Sequence, residues 1–468
     1  MHRSRFSPGF HAFFAMSFIA CGTVDPGPDH ERARAGIRNV TGEEAVHDPE
    51  HPVLSDEEIR AVLAEGLALG EATRLALLNN RRLQAGFLAL GVARADYVQA
   101  GLLENPSLSL AFLFPDTGGR LRWTADLLGS VAEIWRIPAR QALAQEGVEQ
   151  RILELSRFAG ELVAATRAAY FESVAAREST SIARANLDLT LRSLAGVRRQ
   201  VAEGAASKAE EALAESLSLS AELSLRRAER AGAEGTRRLG ALLSVNLDLD
   251  SATLTDPMPV PAETGLEREA LVSACLMARP DLRAAERAVA AAQARVALER
   301  KRRYPELDLG VSAERPEGGS PANFFAGPAA AVELPLFDQN QAQVSRAELE
   351  LAERRKEREA LVAEVGQEAR AALDKAEITS RAAALARDEL LPQAERSAAL
   401  ATRAFELGDT TVLTVLQAQR TLLEARRTAL ESLLEAVLAR IELERVAGAP
   451  LGPVPGGAVR PAPPPSRR

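Results

Sequence analysis

From Leu69 to about Leu103 the apolar positions recur at helical spacing, and then the period changes. After Pro106, the residues Leu108, Leu110, Phe112 and Phe114 alternate with Ser107, Ser109, Ala111 and Leu113, which predicts a strand with one apolar face. Asp116-Thr117-Gly118-Gly119 has turn chemistry, and Leu121, Trp123, Ala125 and Leu127 resume the alternation, so the segment predicts a β-hairpin set between helices. The same pattern returns roughly two hundred residues later. There Leu307, Leu309, Val311 and Ala313 face one way and Asp308, Gly310 and Ser312 the other; Pro316 to Pro321 turn the chain, and Phe324 to Leu334 return it. The two copies keep one spacing, with twenty-three residues from Leu83 to Pro106 and from Leu282 to Pro305.

A helical pattern of unusual length follows each hairpin, at residues 138–203 and 339–407. At 1.5 Å per residue each is a rod of about 100 Å, too long to be buried in an ordinary globular core. Each rod stops at a glycine, in Val201-Ala202-Glu203-Gly204 and Phe405-Glu406-Leu407-Gly408, and a return helix follows. In the second return helix Leu416, Leu423, Leu430 and Val437 recur every seven residues, with Leu434 and Ile441 beside them, which is a coiled-coil seam. Pro392 lies inside the second rod, where the first has Asp188. A proline there removes one backbone hydrogen bond, and it reads either as a tolerated bend or as a joint.

The ends carry different patterns. His2, Arg3 and Arg5 precede a short apolar run, Phe10 to Ala20, which reads as a secretion signal over residues 1–20. Residues 22–54 lack periodicity and read as an irregular tether, followed by a short helix at 56–65. His47 and His51 stand four apart, but Pro49 and Pro52 argue against a helix that would present them together. The last twenty residues, 449–468, are dominated by Pro and Gly and predict a disordered tail. Between the ends stand two units, at 66–250 and 264–448.

Composition then narrows the function. The formal charge is −8, and the basic residues alternate with Glu along helical faces, so nothing points to nucleic acid. No run of 18 apolar residues is present, so a membrane would have to be crossed with strands. His is absent after position 51, and Cys275 reads as a small buried apolar residue. No phosphate loop and no acid/base cluster accompany the helices, so neither a catalytic residue nor a metal or other cofactor is expected.

Several short segments carry a resemblance: Leu69-Gly70-Glu71-Ala72, Asn105-Pro106-Ser107-Leu108, Ala278-Arg279-Pro280-Asp281-Leu282, Leu334-Pro335-Leu336-Phe337-Asp338, Leu391-Pro392-Gln393-Ala394-Glu395 and Leu416-Gln417-Ala418-Gln419-Arg420. Together, in this order and duplicated, they resemble the TolC-type outer membrane efflux protein family, in particular its lipid-anchored CzcC-like and NodT-like branch. The implied fold is mainly α with a membrane β-barrel portion. It is a homotrimer in which each chain gives four strands to a twelve-stranded outer-membrane barrel and its long helices to a periplasmic α-barrel.

The strand count agrees, since two hairpins are too few to close a barrel and an open edge is forbidden in lipid. On this resemblance Leu108, Leu110, Phe112, Leu307, Leu309 and Val311 face lipid, and Trp123 is a candidate interfacial aromatic. Gly204, Ala205, Ala206, Gly408, Asp409 and Thr410 form the periplasmic tips that meet an adaptor linked to an inner-membrane pump. Ala20-Cys21-Gly22 resembles a lipobox, with Cys21 as the acylated residue; an ordinary signal peptide with an incidental Cys is the alternative.

One departure stands out. Many members place Tyr where Phe405 stands, and acids where Thr414 and Gln417 stand, so the candidate constriction here is neutral, with Asp409, Glu210 and Glu211 the nearby acids. The implied function is the exit duct of a tripartite efflux or secretion system in the outer membrane of a Gram-negative bacterium, with a heavy metal or a drug as cargo. The alternative is a lipid-anchored periplasmic adaptor, which would show one helical hairpin flanked by small β domains rather than two hairpins alternating with two strand pairs.

Overall fold

The computed structural model describes residues 24–51, 54–114, 116, 120–204, 206–245, 253–260, 265–317, 324–407, 409–410 and 412–451. The signal segment with Cys21, the tip residues Ala205 and Gly408, and most of the Pro-rich tail lie outside the described residues.

The elements are α1 (Gly27–Thr41), α2 (Asp56–Glu65), α3 (Leu69–Asn79), α4 (Arg81–Ala100), β1 (Ser107–Leu113), β2 (Arg122–Ser130), α5 (Glu133–Ala202), α6 (Lys208–Leu243), α7 (Arg268–Ala278), α8 (Pro280–Lys301), β3 (Leu307–Arg315), β4 (Phe325–Val332), α9 (Gln341–Leu385), α10 (Leu391–Glu406) and α11 (Val412–Ala447). From α3 onward the order helix, helix, hairpin, long helix, return helix occurs twice. Two compact units are present, and each draws on both halves of the sequence: Met1–Glu31, Leu88–Ile152 and Ala284–Arg358 in one, Arg32–Phe87, Leu153–Arg283 and Glu359–Arg468 in the other.

The first unit holds the sheet. Its strands lie in sequence order, β1-β2-β3-β4, every neighbouring pair antiparallel. Both edges, β1 and β4, have one side without a partner among the described residues. Gly310 permits the closest approach: a Cβ there would stand 1.8 Å from the Leu127 carbonyl oxygen across the β2–β3 pair. Only a residue without a side chain fits against backbone at that distance.

The second unit holds an apolar core in which Leu271, Cys275, Val365, Leu373, Leu443 and Val446 pack together. Each fully buried Leu contributes about 1.5–3 kcal/mol relative to exposure. Tyr170 is completely buried in this unit, where its hydroxyl donates to Leu67 O (2.9 Å) and accepts from Asp256 N (3.0 Å).

Three sequence expectations change. Residues 27–41, read as part of an irregular tether, form helix α1. The buried positions Asp29, Ala33, Ile37 and Thr41 follow one another four apart, and the stripe carries too few apolar residues to register as periodicity. What holds the helix is tertiary: Arg94 forms a bidentate pair with the buried Asp29, one bond being 2.6 Å, and Gly36 lies against Ser156. The helical run from Leu69 is broken at Asn80, whose extended backbone ends α3 and whose Oδ1 accepts from Arg82 N and Leu83 N to start α4. The first long helix begins at Glu133 rather than at 138, since Pro138 sits in its second turn instead of opening it.

Candidate functional site

The register assigns the two faces of the sheet. Leu108 pairs with Leu127, Leu127 with Val311 and Val311 with Pro328; Leu110 pairs with Ala125, Ala125 with Ala313 and Ala313 with Ala326. Residues directly opposite one another share a face, and so do residues two apart on a strand. Leu108, Leu110, Phe112, Leu307, Leu309 and Val311 therefore lie on one face, with Leu127 and Val332. Five of these six are exposed large apolar residues, and Leu307 is half-buried.

The opposite face carries rows such as Ser109, Asp126, Ser312 and Gly327, or Ala111, Thr124, Glu314 and Phe325. Ser312 Oγ donates to Asp126 Oδ1 (2.6 Å), and Arg122 pairs with Glu314 (2.9 Å). Leu113, Leu128 and Phe325 interrupt this polar side without removing its charge.

The helical reversals differ from each other. At the first, Gly204 has φ +74°, a left-handed conformation that glycine adopts without a Cβ penalty, and Ala206 N donates to Gln200 O (3.2 Å). Ser207 then starts α6 with a capping box: its hydroxyl accepts from Glu210 N (3.3 Å) while Glu210 Oε2 accepts from Ser207 N (2.6 Å). The bonds that Ser207 N and Oγ donate to Glu210 Oε2 hold that carboxyl below its ordinary range. Arg198 on α5 reaches Glu211 (3.2 Å) and Glu215 (3.4 Å) on α6, across the reversal.

At the second reversal Asp409 N donates to Ala404 O (2.9 Å), five residues back, which closes the helix end. Asp409 is exposed and Thr410 half-buried, with Leu407 exposed beside them. Thr414 and Gln417 follow on the first turns of α11, three apart and both exposed, so they share one side of the helix.

Pro392 is the second residue of α10, and its effect is visible upstream. A π-helical turn, Ala386–Leu390, separates α9 from α10, and Leu391 N donates to Ala386 O. A proline in a helix has no N–H to give and its ring collides with the carbonyl four residues before it. Widening the preceding turn to five-residue bonding relieves that collision.

Several residues to which the sequence reading gave no structural role organise the second unit. Asn79 Nδ2 donates to Leu243 O (3.0 Å) and Asn80 Nδ2 to Leu242 O (2.8 Å), so two amides satisfy carbonyls at the end of α6. Arg279 pairs with Asp281 (2.6 Å) and with Glu368, and Arg445 pairs with Glu368 (2.5 Å) and Glu442 (2.7 Å). Burial raises the Asp281 and Glu368 carboxyls, but the hydrogen bonds and charge of their arginines outweigh it and leave both below the ordinary range. Cys275 is fully buried, and burial pushes its thiol up to about 11. His47 packs edge-on against Phe87 and His51 bonds Asp48, so the two histidines serve separate contacts. Among the described residues, no cluster of three or more His, Cys, Asp or Glu has the geometry of a metal site, and no helix is long and apolar enough to cross a membrane.

Comparison with known proteins follows the same geometry. Residues 271–449 match the family described as outer membrane efflux protein. The cobalt-zinc-cadmium resistance protein CzcC of Cupriavidus metallidurans is 28% identical over 393 residues, covering 82% of this chain and 90% of CzcC. Among solved structures, a membrane protein from Pseudomonas aeruginosa superposes with a TM-score of 0.69 at 20% identity, over 81% of this chain and 93% of that one. CusC gives 0.67 at 20% identity (82% and 92%), and the open MtrE outer membrane channel of Neisseria gonorrhoeae 0.65 at 21% (81% and 89%). The fold is thus that of the TolC-type channels over four-fifths of the chain, and the sequence relationship runs through most of its length. The chain is thus similar to the outer membrane efflux proteins, through the family match at residues 271–449 and through the likeness to CzcC over most of its length.

Proposed function

We propose that this chain is the exit duct of a tripartite efflux system in the outer membrane of a Gram-negative bacterium, built as a homotrimer of two repeats per chain, 66–250 and 264–448. The observation that carries the assembly is a four-stranded sheet whose register segregates an apolar from a polar face, with both edges unpaired among the described residues. In lipid every backbone N–H and C=O needs a partner, and the smallest membrane barrels have about eight strands. Four strands cannot close; three copies give twelve. The apolar face then meets lipid and the polar face lines an aqueous passage. Two helical hairpins alternating with two strand pairs speak against the adaptor reading, which calls for a single hairpin.

The tips Gly204, Ala205, Ala206, Gly408, Asp409 and Thr410 are the surface for a periplasmic adaptor coupled to an inner-membrane pump. Thr414 and Gln417, three residues apart on an exposed side of α11, narrow the passage by packing rather than by charge. Cys21 is the acylated anchor. The cargo is a divalent heavy-metal cation, a reading supported by the relationship to CzcC.

Membrane fractionation followed by light scattering in detergent tests the assembly: outer-membrane recovery at three times the chain mass supports it, and a monomer or an inner-membrane location overturns it. Deletion of the gene tests the cargo. Increased sensitivity to cobalt, zinc or cadmium with unchanged sensitivity to dyes and detergents is the expected result, and the reverse pattern overturns the metal assignment.

A further inference from the structure

Beside the π-helical turn the second unit contains a cavity of about 330 Å³. Ile182 on α5, Ala383 on α9, Leu391 on α10 and Leu430 on α11 give it an apolar wall, so helices from both sides of the turn border one space. Protein interiors are close-packed, and voids much larger than a water molecule are few. The local cause here is the turn itself: five-residue bonding over Ala386–Leu390 widens the helix, and the wall just before it is built from the small side chains of Ala383 and Ala384.

Size and lining are those of a ligand site. Pockets for small organic molecules run from about 300 to 1,000 Å³, with apolar walls and a few polar groups that fix orientation. At about 30 Å³ for each water-sized group, this cavity has room for about eleven non-hydrogen atoms.

The polar groups favour an anion. Two guanidinium groups border the cavity, Arg387 from the π-helical turn and Arg426 from α11, against one carboxylate, Glu178. Arg387 uses Nε and Nη2 on Asp388 (both 2.7 Å), which leaves Nη1. Arg426 stands 3.7 Å from Glu395, beyond hydrogen-bond range, so among the described residues its fork of donors is unused. Neither Asp388 nor Glu395 is part of the wall. A planar guanidinium matches a carboxylate, which accepts two parallel N–H bonds from it.

We propose that this cavity binds a small amphipathic carboxylate, its head held by Arg426 with Arg387 beside it and its aliphatic body against Ile182, Ala383, Leu391 and Leu430. Such a ligand touches α9 and α10 together, and therefore favours the geometry in which the turn between them is widened. The site lies within one chain and does not depend on the duct reading or on its metal cargo.

Octanoate, which is about the size of the cavity, serves as the probe. It is titrated by calorimetry into the full-length protein in detergent, with a protein-free titration subtracted, and octylamine and octanol are the cationic and neutral controls. The expected result is saturable binding of octanoate, tighter than that of either control, and about ten-fold or more weaker in Arg426→Gln. Ala384→Leu, whose larger side chain takes up part of the space, should weaken it as well. Thermal unfolding of the ligand-free variants checks that each is folded. Uptake no greater than that of protein-free micelles, unchanged affinity in either variant, or octanol binding as tightly as octanoate overturns the proposal. Tighter binding of octylamine overturns it too, and makes Glu178 the anchoring group.

Discussion

A charge placed at the middle of β1 distinguishes the two faces of the sheet. Leu110 is the central residue of Ser107–Leu113, exposed, and in one row with Ala125, Ala313 and Ala326, so its neighbours offer no polar group to an arginine. Leu110→Arg near the bilayer midplane is expected to cost about 2–4 kcal/mol per chain, hence on the order of 6–12 kcal/mol for the proposed homotrimer. The neighbouring Ser109 lies on the other face, directly opposite Asp126, which in turn pairs with Ser312. Ser109→Arg therefore meets a carboxylate across the strand pair, worth about 0.2–1 kcal/mol in its favour. Two substitutions one residue apart, with the same added charge, should differ by several kcal/mol and in sign. Urea unfolding in phospholipid vesicles, read by tryptophan fluorescence, measures the difference, and outer-membrane yield gives an independent reading. Equal effects, or a larger loss from Ser109→Arg, would refute the assignment of the faces.

Three further outcomes are expected. Asp281→Asn removes one of the two acids that hold Arg279 and should cost about 1–3 kcal/mol in thermal unfolding; because the folded Asp281 carboxyl lies below its ordinary range, its contribution is present above about pH 4 and is lost as the pH falls through the folded value, so the variant should show a shallower loss of stability below pH 4 than the wild type. Tyr170→Phe leaves Leu67 O and Asp256 N without their shared hydroxyl in a fully buried position, and a loss of about 1–3 kcal/mol in denaturant unfolding is expected, with no loss at all counting against the hydroxyl's role. Gly310→Ala puts a Cβ where the Leu127 carbonyl stands, so β2 and β3 must part; hydrogen exchange should rise at residues 124–130 and 308–314, and unchanged protection would show that the close approach is not required.

Strands and long helices were legible because their periods are strict and their breaks are chemically marked: Pro106 and Pro305 precede the strands, and Gly204 closes the first rod. The faces of each hairpin could be read from alternation, since a period of two leaves one register for an apolar side. What alternation could not give is the pairing of β2 with β3 at a separation of 186 positions, as between Asp126 and Ser312, because nothing local encodes it. Helix α1 escaped for a related reason: Asp29 is one of its most buried residues, and a carboxylate becomes a core residue only when Arg94 is brought to it. The sequence placed Pro392 in the rod but not the π-helical turn before it, since a widened turn is a response to the proline and leaves no residue signature of its own.

The two halves end their return helices with the same backbone geometry and different chemistry. Helix α6 closes at Ser244 in the left-handed region (φ 52°), and α11 is followed by Gly448 in the same region (φ 71°). In the first half, Asn79 and Asn80 reach the terminal carbonyls of α6 with neutral amides. In the second, the residue that corresponds to Asn80 by the spacing of the two Leu-to-Pro intervals is Arg279, and it turns away from such carbonyls to bind Asp281 and Glu368. Its backbone instead packs under Gly448, where an added Cβ would come within 3.3 Å of Arg279 Cα. A neutral amide cap is indifferent to pH and salt, whereas an ionic network weakens when its acids are protonated and is partly screened where it is exposed. At these two matching helix ends, therefore, it is the second whose hold loosens as acid protonates Asp281 and Glu368, while the amide cap at the first is unchanged.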